Sequence, residues 1–226
     1  MYGSPIEIRN EDFKRLPNLR FLDLKYGTYV GDFARCHSNL RWFSWSWEDH
    51  GMNKLDLDHG MNKLDLDFRA SNLYLDKLVV CKLHGLDFKD DSKAWDLIKR
   101  AKNLKVLSIT WCSGITTIPN ISRCSALKRL TLVQCSSLKR IESFIGDLQS
   151  LIELKIIDCL NLIDLSKEVG ALVKLNTFSL RHCRRLRELP DSLGNLTSLK
   201  ELDLLEIIHS FRIKEAAEGS GIFVKP

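Results

Sequence analysis

Along the chain, apolar and polar positions fall into one recurring register. LKVLSITWC (104–112), LKRLTLVQC (127–135), LIELKIIDC (151–159) and LNTFSLRHC (175–183) align without gaps as L-x-x-L-x-L-x-x-C, with Ile or Phe replacing some leucines. Their starts lie 23, 24 and 24 residues apart, and LKELDL (199–204) follows after 24 more. Upstream, LRFLDL (19–24), LRWFSW (40–45) and LVVCKL (78–83) keep the first half of the pattern. The L-x-L centre alternates with period two, which predicts a short strand with one buried face. One such strand cannot bury its own apolar side. Parallel copies are therefore expected to stack over a shared core, at roughly 1.5–3 kcal/mol per buried Leu or Ile. The stretches between strands carry their own apolar residues, among them Ile115, Ile118, Ile121, Leu138, Ile141 and Phe144. Within them SFIGDLQSL, KEVGALVKL and DSLGNLTSL read as short helical or 3-10 turns, with Pro119 and Pro190 where the chain turns ahead of such segments.

A strand core of this kind with a period of 20–29 residues is the leucine-rich-repeat signature. The expected fold class is α/β: a leucine-rich-repeat solenoid of about eight repeats, with a curved parallel sheet on the concave side. Short helices, 3-10 turns and loops would form the convex side. The array is expected over residues 1–204, irregular in 1–100 and regular in 101–204, with 205–226 as a degenerate or truncated tail. Cys112, Cys135, Cys159 and Cys183 recur once per unit, just after the strand, where the side chain faces inward at a tight bend. Rungs about 4.8 Å apart place these thiols in a row. A metal needs ligands that converge on a point. A buried structural ladder is the expectation.

In this register the third, fifth and seventh residues of each unit point to solvent on the concave face, and the eighth lies at its rim. The candidate partner-binding residues taken from these rows are Trp42, Trp47, Lys82, His84, Trp111, Arg129, Gln134, Lys155, Asp158, Arg181 and His182. Exposed aromatics and arginines are the usual anchors of protein interfaces, which puts Trp42, Trp47, Trp111 and Arg181 first. Trp42 and Trp47 have a second reading, as packing against an upstream module or each other. For Arg181 and His182 a merely solvated face stands beside partner contact. The run RHCRRLREL (181–189) suits an acidic protein surface or an anionic lipid, or is simply a solvated edge. It lacks the interleaved aromatics of a nucleic-acid site, so no nucleic-acid partner is expected.

Composition adds limits. With 34 basic and 29 acidic residues, the formal net charge of +5 is mixed in sign and is no nucleic-acid signature. No apolar run approaches the roughly 18 residues that span a membrane. The start, MYGSPIEIRNEDF, lacks the basic-then-apolar order of a secretory signal, which leads to an intracellular expectation: cytoplasm, with the nucleus open. The seven cysteines include no C-x-x-C pair and are expected to stay reduced. No nucleophile–base–orienter set is visible, so the chain is not expected to be an enzyme or to hold a cofactor or metal.

Residues 50–67 read HGMNKLDLDHGMNKLDLD, one nonamer twice over. Its His and Asp residues resemble a site. Yet the starts Leu40 and Leu78 are 38 residues apart, too many for one unit, and removing nine leaves 29, which fits. The second copy is therefore surplus, and at least one copy is expected to bulge from the solenoid as a polar loop.

Three stretches narrow the family. FKRLPNLRFLDL (13–24) looks like a first repeat that follows a nucleotide-binding module. LRWFSWSW (40–47) looks like a Trp-rich second repeat. Residues 101–138 resemble cysteine-type repeats with a C-x-x-L step after each strand. Over most of 10–204 the chain resembles the leucine-rich-repeat region of plant TIR–nucleotide-binding–leucine-rich-repeat disease-resistance proteins. The resemblance implies a non-catalytic recognition module of innate immunity. Its partner would be a pathogen effector, a guarded host protein or the nucleotide-binding domain of its parent receptor. Neither a G-x-x-x-x-G-K-[ST] loop nor a TIR domain is present, so a detached or truncated repeat region is expected, with a last rung that lacks a cap. A free-standing intracellular scaffold or adaptor, and a fragment of an extracellular receptor, are the other readings.

Overall fold

The computed structural model of the chain describes residues 7–13, 15–25, 28–30, 38–46, 75–86, 89–92, 94–207 and 224–225. In chain order the strands are β1 (Glu7–Arg9), β2 (Phe21–Lys25), β3 (Thr28–Val30), β4 (Trp42–Ser46), β5 (Val80–His84), β6 (Val106–Thr110), β7 (Arg129–Val133), β8 (Arg140–Ile141), β9 (Glu153–Ile157), β10 (Asp164–Leu165), β11 (Thr177–Ser179), β12 (Glu201–Asp203) and β13 (Val224–Lys225). The eight L-x-x-L-x-L segments supply β2, β4, β5, β6, β7, β9, β11 and β12. These are consecutive neighbours in one parallel sheet, and β13 adds a ninth strand beside β12. The chain is thus a leucine-rich-repeat solenoid of about eight repeats.

Every rung is in the same register. Trp42 pairs with Val80, Val80 with Val106, Val106 with Arg129 and Arg129 with Glu153, so third positions stack on third positions. The fourth and sixth positions point inward: Leu107, Ile109, Leu130, Leu132, Leu154, Ile156, Phe178 and Leu180 are fully buried. The cysteine row is buried beside them. Cys135 Sγ donates to Ile109 O (3.6 Å), Cys159 Sγ to Leu132 O (3.9 Å) and Cys183 Sγ to Ile156 O (3.4 Å). Each thiol therefore reaches the sixth-position carbonyl of the rung before it. Burial pushes the Cys183 thiol up to about 12, and the hydrogen bond with Cys135 followed by burial pushes Cys159 up. Cys159 and Cys183 are therefore structural, protonated thiols, while the hydrogen bond with Cys159 lowers the Cys135 thiol.

On the convex side three 3-10 helices, Ser143–Asp147, Lys167–Ala171 and Asp191–Asn195, occupy the segments that read as short turns. Ser166 caps the second by accepting from Glu168 N at 3.2 Å, and Pro190 precedes the third. Gly146 and Gly170 lie at equivalent points of successive turns. A Cβ on Gly170 would stand 2.3 Å from Ser192 O, and one on Gly146 would stand 2.8 Å from Glu168 O, so the turns stack backbone to backbone.

Several elements were not expected from the pattern. A helix, Ala94–Arg100, buries Trp95, Leu97 and Ile98, and Trp95 Nε1 donates to Lys89 O at 3.0 Å. β8 and β10 form a small parallel sheet, and β1 pairs with β3. Past Leu204, Ile207 is buried in the ninth-residue position held by cysteine in earlier repeats, and Val224 pairs with Leu202. The doubled nonamer at 50–67 lies outside the described residues. Its flanking strands β4 and β5 are immediate neighbours, Phe43 opposite Cys81, with no rung between them.

Candidate protein-interaction face

The concave face divides into two chemically different halves. In the first, Phe21 and Trp42 stack across β2 and β4 with ring centroids 3.9 Å apart and planes within 5°, while Phe21 stays 56% exposed. Lys82, one rung on, places Nζ 5.5 Å from the Trp42 ring centroid, a cation–π distance. Val80 and Val106 extend this apolar row, half-buried, on the next two rungs. In the second half the charges lie at ion-pair distance from one another. Glu153 lies 3.9 Å from Arg129 Nε and 3.2 Å from Lys155 Nζ, and Asp203 lies 3.5 Å from Arg181 Nε. Ser179 Oγ is also 3.5 Å from that Asp203 carboxylate.

The rim is set by an unusual backbone. Trp111, Gln134, Asp158, His182 and Glu206 have φ between 53 and 60°, and Gly85 has 68°. All six are eighth residues of their units. For a residue with a Cβ this left-handed turn costs roughly 1–2 kcal/mol. The geometry places the N–H of the first five along the chain on the next rung: Gly85 N donates to Thr110 O (2.9 Å), Trp111 N to Val133 O (2.8 Å), Gln134 N to Ile157 O (2.9 Å), Asp158 N to Arg181 O (2.9 Å) and His182 N to Leu205 O (2.8 Å). The turn thereby continues the ladder past the strand and swings the ninth residue (Leu86, Cys112, Cys135, Cys159, Cys183 or Ile207) into the core.

Three of those strained residues hold each other. His182 Nδ1 is 2.7 Å from Asp158 Oδ1, and its Nε2 is 3.7 Å from Glu206 Oε1. Glu206 also accepts from Arg184, whose Nε is 3.0 Å away, and that guanidinium holds the Glu206 carboxyl below the usual carboxylate range. Trp111 differs. It is 54% exposed, and its ring stands 6.4 Å from His84, whose Nδ1 is 2.7 Å from Thr110 Oγ1.

The structure thus brings Trp42 and Lys82 together, places His84 beside Trp111, and joins Asp158 to His182. It ties Arg129, Lys155 and Arg181 to carboxylates of neighbouring rungs or of their own strand. Gln134 is half-buried at the rim, and Trp47 lies outside the described residues. Ser46 and Ser179, expected to point to solvent, are instead only 7% and 3% exposed. The run 181–189 is partly engaged: Arg184 with Glu206, and Arg185 Nη1 with Asn161 Oδ1 at 2.7 Å. Glu206 was missed as a site residue, while Phe21 belongs to the concave rows and Arg184 to the basic run without being among the candidate partner-binding residues. Phe21 had a signal, since its third position on the adjacent rung faces Trp42. Among the described residues no group of three or more His, Cys, Asp or Glu side chains is placed to hold a metal ion. No helix among them is long and apolar enough to cross a membrane.

No protein-family model matches the chain. Among curated proteins, the disease resistance protein RPP5 of Arabidopsis thaliana is 34% identical over 70 residues, 31% of this chain and 5% of that protein. The match therefore spans only a small part of that relative. Among solved structures, a chain of the octameric complex of Latrophilin 3, Unc5D and the leucine-rich-repeat protein FLRT2 superposes with a TM-score of 0.54 at 15% identity, over 88% of this chain and 64% of that one. A leucine-rich-repeat protein of Leptospira interrogans gives a TM-score of 0.51 at 20% identity, over 87% of this chain and 57% of that one. These likenesses show the leucine-rich-repeat fold. Solenoids of this kind generally present the concave surface as a non-catalytic platform for protein interaction.

Proposed function

We propose that this chain is a protein-recognition module of plant innate immunity, the leucine-rich-repeat part of a receptor of the TIR–nucleotide-binding type, acting inside the cell. It takes a pathogen effector, a guarded host protein or the receptor's own nucleotide-binding domain on its concave face and rim. The observation that carries this is the exposed aromatic and cationic series, Phe21–Trp42–Lys82 on the face and Trp111 on the rim. Aromatics presented this way on a rigid sheet are the side chains that dominate binding energy at protein interfaces. Trp111 adds to this because the rim turn presents its ring 54% exposed, whereas Asp158, His182 and Glu206 are engaged with one another. The likeness to a disease resistance protein supports the immune setting. The test is a pull-down of the full chain against a panel of effectors and of nucleotide-binding domains from plant disease-resistance receptors. Association with one of them is expected, and none across the panel sinks the reading.

A further inference from the structure

The residue after the first leucine of each unit sits at the edge where the chain enters the sheet, outside the concave rows. Its carbonyl is tied down twice: Arg20 O accepts from Arg41 N (2.8 Å) and Trp42 N (3.0 Å), and Lys105 O accepts from Lys128 N (2.8 Å) and Arg129 N (3.0 Å). Through this ladder Arg20, Arg41, Val79, Lys105 and Lys128 follow one another on successive rungs. In the first five units the four residues ending at that position read PNLR, SNLR, DKLV, KNLK and SALK. They carry six cations, Arg20, Arg41, Lys77, Lys102, Lys105 and Lys128, against one carboxylate, Asp76. The excess on this edge equals the formal net charge of the whole chain, +5. All six side chains are exposed, and none is ion-paired among the described residues. The sixth unit, QSLI, has no charge and ends the row. Asparagines clamp the edge between rungs: Asn39 Nδ2 donates to Pro17 O (2.9 Å) and Asn103 Nδ2 to Asp76 O (2.5 Å).

We infer that this edge is a docking site for an extended acidic segment of a protein partner, separate from the concave face. Arg20, Arg41, Lys105 and Lys128 lie in one line broken by Val79, with Lys77 and Lys102 just ahead of it in their units, on rungs about 4.8 Å apart, and an extended polypeptide advances about 3.3 Å per residue. Roughly three residues of such a segment span two rungs, so a run of Asp and Glu meets the cations repeatedly. Duplex nucleic acid presents paired phosphate rows across grooves about 6–12 Å wide, which a single line does not match. Single strands are held by aromatic stacking, and the five edge segments contain no aromatic residue. Cations fixed this close repel one another, and a polyanionic chain removes that repulsion on binding.

The test uses the full chain, a fluorescein-labelled peptide alternating Glu and Asp, and anisotropy. Wild type binds the peptide, with affinity falling as salt rises. Lys102→Glu/Lys105→Glu/Lys128→Glu weakens it at least about tenfold, while the equal reversal on the convex side, Lys139→Glu/Lys167→Glu/Arg187→Glu, changes it less than about twofold. The edge variant alone melts no lower than wild type, because like charges have been removed from a row. Trp42→Ala and Trp111→Gly leave peptide binding unchanged, so this site and the concave one fail independently. The inference is overturned by equal losses in both triple variants or by absence of peptide binding. Tighter edge-dependent binding of a single-stranded oligonucleotide or of phosphatidylserine vesicles overturns it too.

Discussion

Gly146, Gly170 and Gly194 occupy the fourth position of three stacked 3-10 helices, and one methyl group at each probes the stacking of the convex side. At Gly170 the added Cβ would fall 2.3 Å from Ser192 O and 2.5 Å from Ser192 Cβ. An ordinary contact there is about 3.4–4 Å, so the backbone of the neighbouring turn must move by about 1 Å, an overpacking cost of roughly 1–3 kcal/mol. Replacing glycine also narrows the unfolded ensemble, which returns about 0.4–1 kcal/mol. The net effect of Gly170→Ala is a loss of about 1–2 kcal/mol, or roughly 2–8 °C in Tm for a chain of this length. Gly146→Ala meets Glu168 O at 2.8 Å and should fall between wild type and Gly170→Ala. A Cβ at Gly194 has nothing within 4 Å, so Gly194→Ala should melt at or slightly above wild type. Far-UV circular dichroism melts of the three variants check the order. A Gly170→Ala protein that melts with Gly194→Ala would show that the turns are not in close backbone contact.

Other consequences follow from the ladder and the insertion. The Cys81, Cys124 and Cys183 thiols are pushed up to about 12, 11 and 12, chiefly by burial. Native protein near pH 8 should therefore resist iodoacetamide at these positions and react once unfolded in urea; rapid native labelling at any of the three contradicts it. Because these folded-state values are raised, their contribution is complete below the unfolded value near 9.0 and is lost as pH rises through about 12. Urea midpoints should accordingly fall across that alkaline window and not below it. Deleting residues 50–58 should leave Tm within about 2 °C of wild type, since β4 and β5 already pair directly; a collapse of the cooperative melt would mean the nonamer is built into the core.

The repeated L-x-x-L-x-L-x-x-C pattern carried most of the architecture, because period-two burial and a fixed repeat length leave one parallel register. It placed Leu107, Ile109 and Cys112 in the core and the Ser143–Asp147 segment in a 3-10 turn. The helix Ala94–Arg100 escaped notice because Trp95, Leu97 and Ile98 fall outside the repeat pattern, although all three are buried. The left-handed eighth residues gave little local sign: Gly85, Asp158 and His182 are of types that adopt that turn more readily, but Trp111, Gln134 and Glu206 are not, and for Trp111 and Gln134 the next rung's carbonyl holds it. The same applies to the face. Rows could be read off the register, but the Phe21–Trp42 stack and the Asp158–His182–Glu206 chain depend on rotamers and neighbours.

The central claim, recognition of a protein through the concave face and rim, is tested most directly by binding of the captured partner to Trp42→Ala and Trp111→Gly, with Leu160→Ala and Val173→Ala as controls. The controls remove apolar residues 48% and 45% exposed away from the face. Trp111→Gly also relieves a left-handed backbone at φ 59°, so lost binding there cannot be ascribed to a strained turn. Calorimetry should show each tryptophan variant weakened by about 2 kcal/mol or more, roughly thirtyfold, and each control within about twofold. Unchanged affinity in both tryptophan variants, or equal loss in the controls, would contradict the account.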